Sequence, residues 1–263
     1  MNNSIIQITK EKNGVACITL NRPEVHNAFN PAMIEALHQA VLDAGKDNSI
    51  RMVKLAGAGK SFSAGADLDW MKEAATYNEA QNIADAHKLS ALLEDLAALP
   101  KPTIALVHGA AIAGGTGLVA CCDIALAQKT AIFGISEVRI GLIPAMISPY
   151  VVGKIGARQA RRYFLTGERF DAETAQHIGL VHEVVENDAE LVRKANQICD
   201  EILKGAPVAI SDTKQLIAEI AQTNVSPARQ EELAAKLARR RASPEAVEGI
   251  TAFLEKRSPN WSK

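Results

Sequence analysis

The stretch GAAIAGGTGLVACCD, residues 109–123, decides how this chain is read. The apolar run TIALVHG, residues 103–109, precedes it and reads as a buried strand. The run after the glycines reads as a helix leading into a further strand. Glycines at a helix start leave backbone N–H groups unpaired and facing outward, and the helix dipole strengthens their pull on negative charge. One such N–H beside another from a nearby loop makes an oxyanion hole. Close packing of a helix on a strand also demands glycine, so the residues by themselves leave both readings open.

Working outward, strands alternate with helices through the first half of the chain. IIQIT and VACITL flank Lys12-Asn13-Gly14, a strong hairpin signal. Asn30-Pro31 opens a helix, with Asn30 as its N-cap and Pro31 at its first position. MVKLAG, residues 52–57, reads as a buried strand, and a helix follows over about 79–98. This order implies crossover connections, a mainly parallel sheet and an α/β class. From about residue 158 onward every segment reads as helical, SPEA (243–246) being a clear N-terminal cap. Two regions are expected: a core over 1–195 and a helical region over 196–263.

The chain has 263 residues, 48% hydrophobic and 22% charged, enough for a large core. A net charge of −1 gives no global attraction to nucleic acid or anionic lipid. No apolar run approaches a membrane span, and MNNSIIQITKEKNG lacks the features of a signal peptide, so a cytoplasmic protein is expected. Cys17, Cys121, Cys122 and Cys199 do not have zinc spacing and read as buried thiols in a reducing compartment. No metal site is expected.

GAGKS, residues 57–61, is not a phosphate-binding loop, because Lys54 stands where the first glycine of that motif belongs. Ser63-Ala64-Gly65-Ala66-Asp67 brings small residues to a strand end, where another molecule could approach the backbone, although it also suits an ordinary tight turn. Glu137 sits in FGISEVRIGLIP among apolar residues. Such a carboxyl has its pKa raised and can exchange protons near neutrality, or it can simply pair with Arg139.

Together these motifs resemble the crotonase, or enoyl-CoA hydratase/isomerase, superfamily. The resemblance runs through Asn21-Arg22-Pro23-Glu24-Val25-His26-Asn27-Ala28, Ser63–Asp67, Gly109 to Asp123, Ser136-Glu137 to Pro144, and Phe253-Leu254-Glu255-Lys256-Arg257. It implies a crotonase-like spiral of ββα units with C-terminal helices that build a homotrimer or dimer of trimers. It implies an acyl-CoA substrate and no separate cofactor, coenzyme A being part of the thioester. The family's two oxyanion amides match Ala66 and Gly114, and its catalytic glutamate matches Glu137. Val25, His26, Ala64, Asp67 and Leu68 match positions lining the CoA pocket. Phe253 and Lys256 match residues that reach CoA from a neighbouring subunit.

One departure stands out. Many hydratases of the family use a second glutamate, and its position is Gly117 here; no acid occurs between His108 and Cys122. The branch that hydrates 3-methylglutaconyl-CoA, and related hydratases of isoprenoid-acid degradation, resemble this chain most. The expected reaction is hydration of a short or branched 2-enoyl-CoA, with a Δ3-Δ2 enoyl-CoA isomerase as the alternative. Arg139 and Lys72 are candidates to meet a second substrate carboxylate. A non-catalytic RNA-binding relative is a further alternative. It would rest on Arg239-Arg240-Arg241, and the net charge gives it no support, so no nucleic acid or membrane partner is expected.

Overall fold

The structure, a computed structural model, describes residues 4–221 and 226–262. They form two compact units whose boundary falls between Asn196 and Gln197, Pro100–Pro102 belonging with the second. In the first unit β1 (Ile6–Lys10), β2 (Val15–Leu20), α1 (Pro31–Lys46), β3 (Met52–Gly57), α2 (Leu68–Ala74), α3 (Glu79–Ala98), β4 (Thr103–Val107), β5 (Ala110–Ile112) and α4 (Gly114–Cys121) follow one another. Then come β6 (Ile124–Gln128), β7 (Ile132–Gly134), α5 (Ser148–Thr166), β8 (Arg169–Asp171), α6 (Ala172–His177), β9 (Glu183–Val185) and α7 (Asp188–Lys204), within which the boundary falls. The second unit holds α8 (Pro207–Ile220), α9 (Pro227–Arg241) and α10 (Pro244–Leu254). The helical reading of the chain after residue 158 takes in residues 222–225, which lie outside the described ones.

The main sheet has the order β1-β2-β3-β4-β6-β9, antiparallel only between β1 and β2. Register puts Ile18, Leu55, Ala105 and Ala125 side by side, all buried. Strands covered on both faces need such unbroken apolar runs. A second layer is built from β5, β7 and β8, and single parallel bridges extend it: Ser63 pairs with Ala111, and Phe29 with Ala66.

The chain therefore coils. A main-sheet strand leads to a short second-layer segment and then a helix: β3, Ser63, α2; β4, β5, α4; β6, β7, α5. This is a spiral of strand–strand–helix units, as the sequence resemblance implies. The core under it includes Phe29, Met33, Leu37, Phe62, Leu93, Leu118 and Phe133. Asn30 caps α1 by accepting the Met33 N–H at 2.8 Å, as its sequence position predicts.

One expectation needs correction. The chain after residue 158 is not helical throughout, since β8 and β9 interrupt it. Each has three residues, too few to show a period; β8 is anchored by buried Phe170 stacked on Phe133, with ring centres 5.8 Å apart. The helix α2 also forms where local residue chemistry carries no clear helical signal, capped by the Asp67 side chain.

Candidate active site

The second layer sets the site. Ser63 and Ala111 are paired, and three residues beyond each stand Ala66 and Gly114. Phe133 pairs with Ala111 in turn, and Glu137 follows four residues later. The three expected catalytic positions thus lie at corresponding places in three consecutive turns of the spiral, between a second-layer segment and a helix. Neighbouring paired strands lie about 4.8 Å apart, so amides at corresponding places on them can face one acceptor atom.

Backbone pairing sets the direction of the Ala66 amide. Phe29 donates to the Gly65 carbonyl at 2.6 Å and accepts from the Asp67 N–H at 2.8 Å. In a parallel bridge this turns the amide of Ala66 itself away from Phe29, toward the next turn of the chain. Among the described residues the Ala66 N–H makes no hydrogen bond. Gly114 is the first residue of α4, where N–H groups have no intrahelical partner, and its amide too is unbonded among the described residues. Before it, Ala113 has φ 50° and ψ −116°, a backbone conformation that costs a side-chain-bearing residue on the order of 1–3 kcal/mol. Ala113 is held there by its N–H bond to the Gly134 carbonyl, 2.8 Å, which Thr116 Oγ1 also donates to at 3.0 Å.

Glycine is obligatory at Gly114, because a Cβ there would lie 2.7 Å from the Phe29 ring. One residue therefore ties both amides together: the Phe29 backbone clamps the loop of Ala66, and its ring covers Gly114. Asn27, fully buried, holds this arrangement. It donates to the Ala58 and Ser61 carbonyls at 2.9 and 2.8 Å and accepts from the Arg22 N–H at 2.8 Å. His26 and Asn27 both adopt left-handed φ to make the turn.

Glu137 opens a short 3-10 turn, Glu137–Ile140, just after β7. Its Oε2 is buried and has no hydrogen-bond partner among the described residues. Burial pushes its pKa above the ordinary carboxylate value, with a backbone hydrogen bond opposing. The pairing with Arg139 that the sequence left open is not made. Arg139 Nε instead donates to the Thr166 carbonyl at 3.4 Å, at the end of α5, and its stem packs on Gly167. Lys72 pairs with Asp69 at 2.9 Å. Each candidate cation for a substrate carboxylate thus has another contact.

Among the expected CoA-pocket residues, Val25, His26, Ala64, Asp67 and Leu68 lie on the two loops clamped around Phe29. Ala64, His26 and Leu68 are exposed. Ala64 N–H bonds the His26 carbonyl at 2.9 Å, and His26 Nδ1 lies 3.1 Å from Ser61 Oγ. The Asp67 carboxylate is engaged already: it pairs with Arg22 at 2.9 Å and accepts the Asp69 N–H. Burial works against its charged form, yet those bonds hold its pKa below the ordinary value. Phe253 and Lys256 belong to the second unit, at the end of α10, where Phe253 is 82% exposed.

Reading the sequence missed Phe29, Asn27 and Ala113. An apolar residue and a buried amide look like any core residue, and no sequence signal announces a left-handed alanine. GAGKS proves to be a turn: Gly59, at φ 79°, closes on Pro23, and no helix begins between it and Leu68. Among the described residues no three His, Cys, Asp or Glu side chains could hold a metal ion, and no helix is long and apolar enough to cross a membrane.

A spiral with this layering, carrying unbonded amides and a buried carboxyl at matching turns, is the architecture of acyl-thioester enzymes of crotonase type. The family model for enoyl-CoA hydratase/isomerase matches residues 10–263, and the chain belongs to that family. The crystal structure of an enoyl-CoA hydratase from Shewanella pealeana superposes with a TM-score of 0.95 at 41% identity, covering 99% of this chain and 97% of that one. The short-chain-enoyl-CoA hydratase of Clostridium acetobutylicum is 35% identical over 98% of this chain and 96% of its own length. The 2,3-dehydroadipyl-CoA hydratase of Escherichia coli K12 is 33% identical over 97% of both chains. As a member of this family the chain is an enzyme of the enoyl-CoA hydratase type.

Proposed function

We propose that the chain adds water to a short or branched 2-enoyl-CoA, giving the 3-hydroxyacyl-CoA. The substrate class we favour is 3-methylglutaconyl-CoA or a related enoyl-CoA bearing a second carboxylate. The named substrate of the E. coli relative, 2,3-dehydroadipyl-CoA, supports an acyl chain of that kind. Ala66 and Gly114 N–H groups hold the thioester oxygen. Water attacks Cβ, and the double-bond electrons move onto that oxygen as an enolate. Glu137 takes the proton from water and delivers it to Cα. Preorganised amides stabilise the developing charge without reorganising, and losing one such donor typically costs about 3 kcal/mol.

The observation that carries this reading is Glu137 Oε2, buried without a partner among the described residues at the turn that matches Ala66 and Gly114. A carboxyl left in that state has its pKa raised toward the range where one group can both accept and give a proton. Coenzyme A enters as part of the substrate, bound by Val25, His26, Ala64, Asp67 and Leu68, with Phe253 and Lys256 supplied by a neighbouring subunit of a homotrimer or dimer of trimers. The four free cysteines support a reducing, cytoplasmic setting. The RNA-binding alternative loses ground because Arg240, central in its cluster, pairs with Asp212 and Glu245.

The test is hydration of crotonyl-CoA and 3-methylglutaconyl-CoA by the wild type and Glu137→Gln. Removing a positioned acid–base group lowers the rate by about 10²–10⁴-fold. Because burial raises the pKa of Glu137, its ionisation costs stability as pH rises past the ordinary carboxylate range. The Glu137→Gln variant should therefore be at least as stable at neutral pH while losing activity. Equal activity in both proteins removes Glu137 from its role.

A second reading, a Δ3-Δ2 enoyl-CoA isomerase, is favoured by one observation. The place of a second carboxylate is Gly117, and the space beside it is filled by Ile147. Migration needs one base only: Glu137 takes a proton from Cα, the enolate forms on the thioester oxygen, and the proton returns at Cγ as the double bond moves into conjugation. A 3-enoyl-CoA converted solely to the 2-enoyl isomer selects this reading.

A further inference from the structure

Gly117 lies one turn into α4, three residues beyond Gly114. A Cβ at Gly117 would collide with Ile147 Cγ2 and stand 2.9 Å from Ile147 Cβ, closer than real Cβ atoms approach. The nearer atom is the end of a side chain, but the second is fixed to the Ile147 backbone, so no side chain at 117 fits while Ile147 is present. Other glycines of this helix are barred differently: Gly115 by the Ser63 carbonyl at 2.7 Å, and Gly114 by the Phe29 ring, whose backbone holds the Ala66 loop. Gly117 is the one whose space is denied by a single aliphatic side chain that is not part of the amide framework.

Ile147 is 2% exposed and held in place. It stands immediately before α5, in a turn closed by Ser148, whose N–H and Oγ both donate to the Pro144 carbonyl at 3.0 and 2.5 Å. The same loop begins at Glu137, whose carbonyl accepts the Leu142 N–H at 3.0 Å. One segment, residues 137–148, thus supplies the carboxylate and also the hydrocarbon that excludes another. The acid next in sequence to α4, Asp123, is committed elsewhere, accepting from the Thr103 N–H at 2.8 Å and its hydroxyl at 3.0 Å.

We propose that Ile147 is a positioning residue that sets the balance between hydration and double-bond migration, by filling the space beside Gly117 so that Glu137 is the only proton-transfer group. This rests on the reading of Glu137 as the acid–base residue. Hydration requires a water held for attack at Cβ, and a second polar group beside Gly117 would help to hold it. Hydrocarbon there does not, whereas migration passes one proton from Cα to Cγ and is untouched.

The experiment measures crotonyl-CoA hydration and 3-hexenoyl-CoA migration, each across pH, in the wild type, Ile147→Ala, the pair Gly117→Glu with Ile147→Gly, and Glu137→Gln. The paired variant, which removes both atoms that a side chain at 117 would meet, should raise the ratio of hydration to migration by about tenfold or more and add a second ionisation to the hydration pH profile, where the wild type has one. Ile147→Ala, which removes Cγ2 and no charge, should move the ratio toward hydration by about two- to threefold with the single ionisation kept. A ratio unchanged in Ile147→Ala, or two carboxyl ionisations in the wild type, overturns the proposal. Should the paired variant fail to fold, Ile147→Ala decides by itself. Full activity in Glu137→Gln would instead overturn the underlying reading of the site, whatever the Ile147 variants do.

Discussion

The two units use their apolar residues in opposite ways. In the first, Phe29, Phe62 and Phe133 are all but fully buried, and the central strand β4 is buried along its whole length. In the second, α8 and α9 bury none of their residues and α10 buries only Ala252, while Ile217, Leu237, Ile250, Phe253 and Leu254 stay exposed. Charge ties the second unit together: Lys236 to Glu219, Arg229 to Glu219 and Glu232, and Arg240 to Asp212 and Glu245. The first unit is ordered by its own core, and its site is built of main-chain groups fixed by that core. The second presents apolar surface of a kind that marks an interaction face, consistent with the subunit contacts proposed above.

This contrast is most exposed to failure at Phe29. Phe29→Ala empties a core position and frees both candidate amides, so it should cost about 3–5 kcal/mol in chemical denaturation. Activity should fall further than the folded fraction explains. A cost under about 1 kcal/mol would remove Phe29 from the framework described here.

A smaller effect is expected at the edge of the main sheet. His182 Nδ1 accepts the Ala125 N–H at 3.1 Å, while the His182 N–H returns a bond to the Ala125 carbonyl at 2.9 Å. Burial, helped by nearby Lys154, lowers the His182 pKa below its ordinary 6.5. A lowered histidine pKa means the unfolded chain takes up the proton first, so stability is intact above pH 6.5 and declines as pH falls below it. His182→Gln should flatten that decline in thermal melts between about pH 6.5 and 5. An equally steep loss in the variant assigns the effect to other groups.

In the second unit single changes should register little in folding and more in association. Phe253→Ala should alter stability of the separated chain by less than about 0.5 kcal/mol while weakening self-association in analytical ultracentrifugation and raising KM for the thioester. The smallest effect overall is expected from Arg240→Ala, at most about 1 kcal/mol in folding, reduced further by salt and with no change in association, because Asp212 is solvent-exposed and Glu245, though largely buried, still accepts from the Val208 and Ala209 N–H groups. A loss of several kcal/mol at either position would mean that the helical unit has a core of its own.

Much of the fold was readable from local chemistry. MVKLAG forms β3 at its predicted bounds, and the helix over 79–98 ends where Pro100 and Pro102 forbid continuation. The second layer was not readable. β5, β7 and β8 have three residues each, and the bridges at Ser63 and Phe29 have one residue per strand; their pairing is decided by how the coils stack, not by periodicity. The site divides in the same way. Glycines before an apolar helix, and a glutamate among apolar neighbours, could be chosen as candidates from residue chemistry. Their placement at matching turns of the chain could not, since it depends on the pairing of Ser63 with Ala111, on the conformation of Ala113 and on the Phe29 ring. Family resemblance singled out Ala66, whose side chain carries no chemistry at all.

If the amides of Ala66 and Gly114 hold one oxygen on which negative charge gathers, a crystal structure of the Glu137→Gln variant with a bound enoyl-CoA will show it most directly. The thioester carbonyl oxygen should lie about 2.7–3.1 Å from both nitrogens, with the substituted side chain at position 137 beside Cα and Cβ. A thioester oxygen in solvent, or bonded to neither amide, would contradict this assignment.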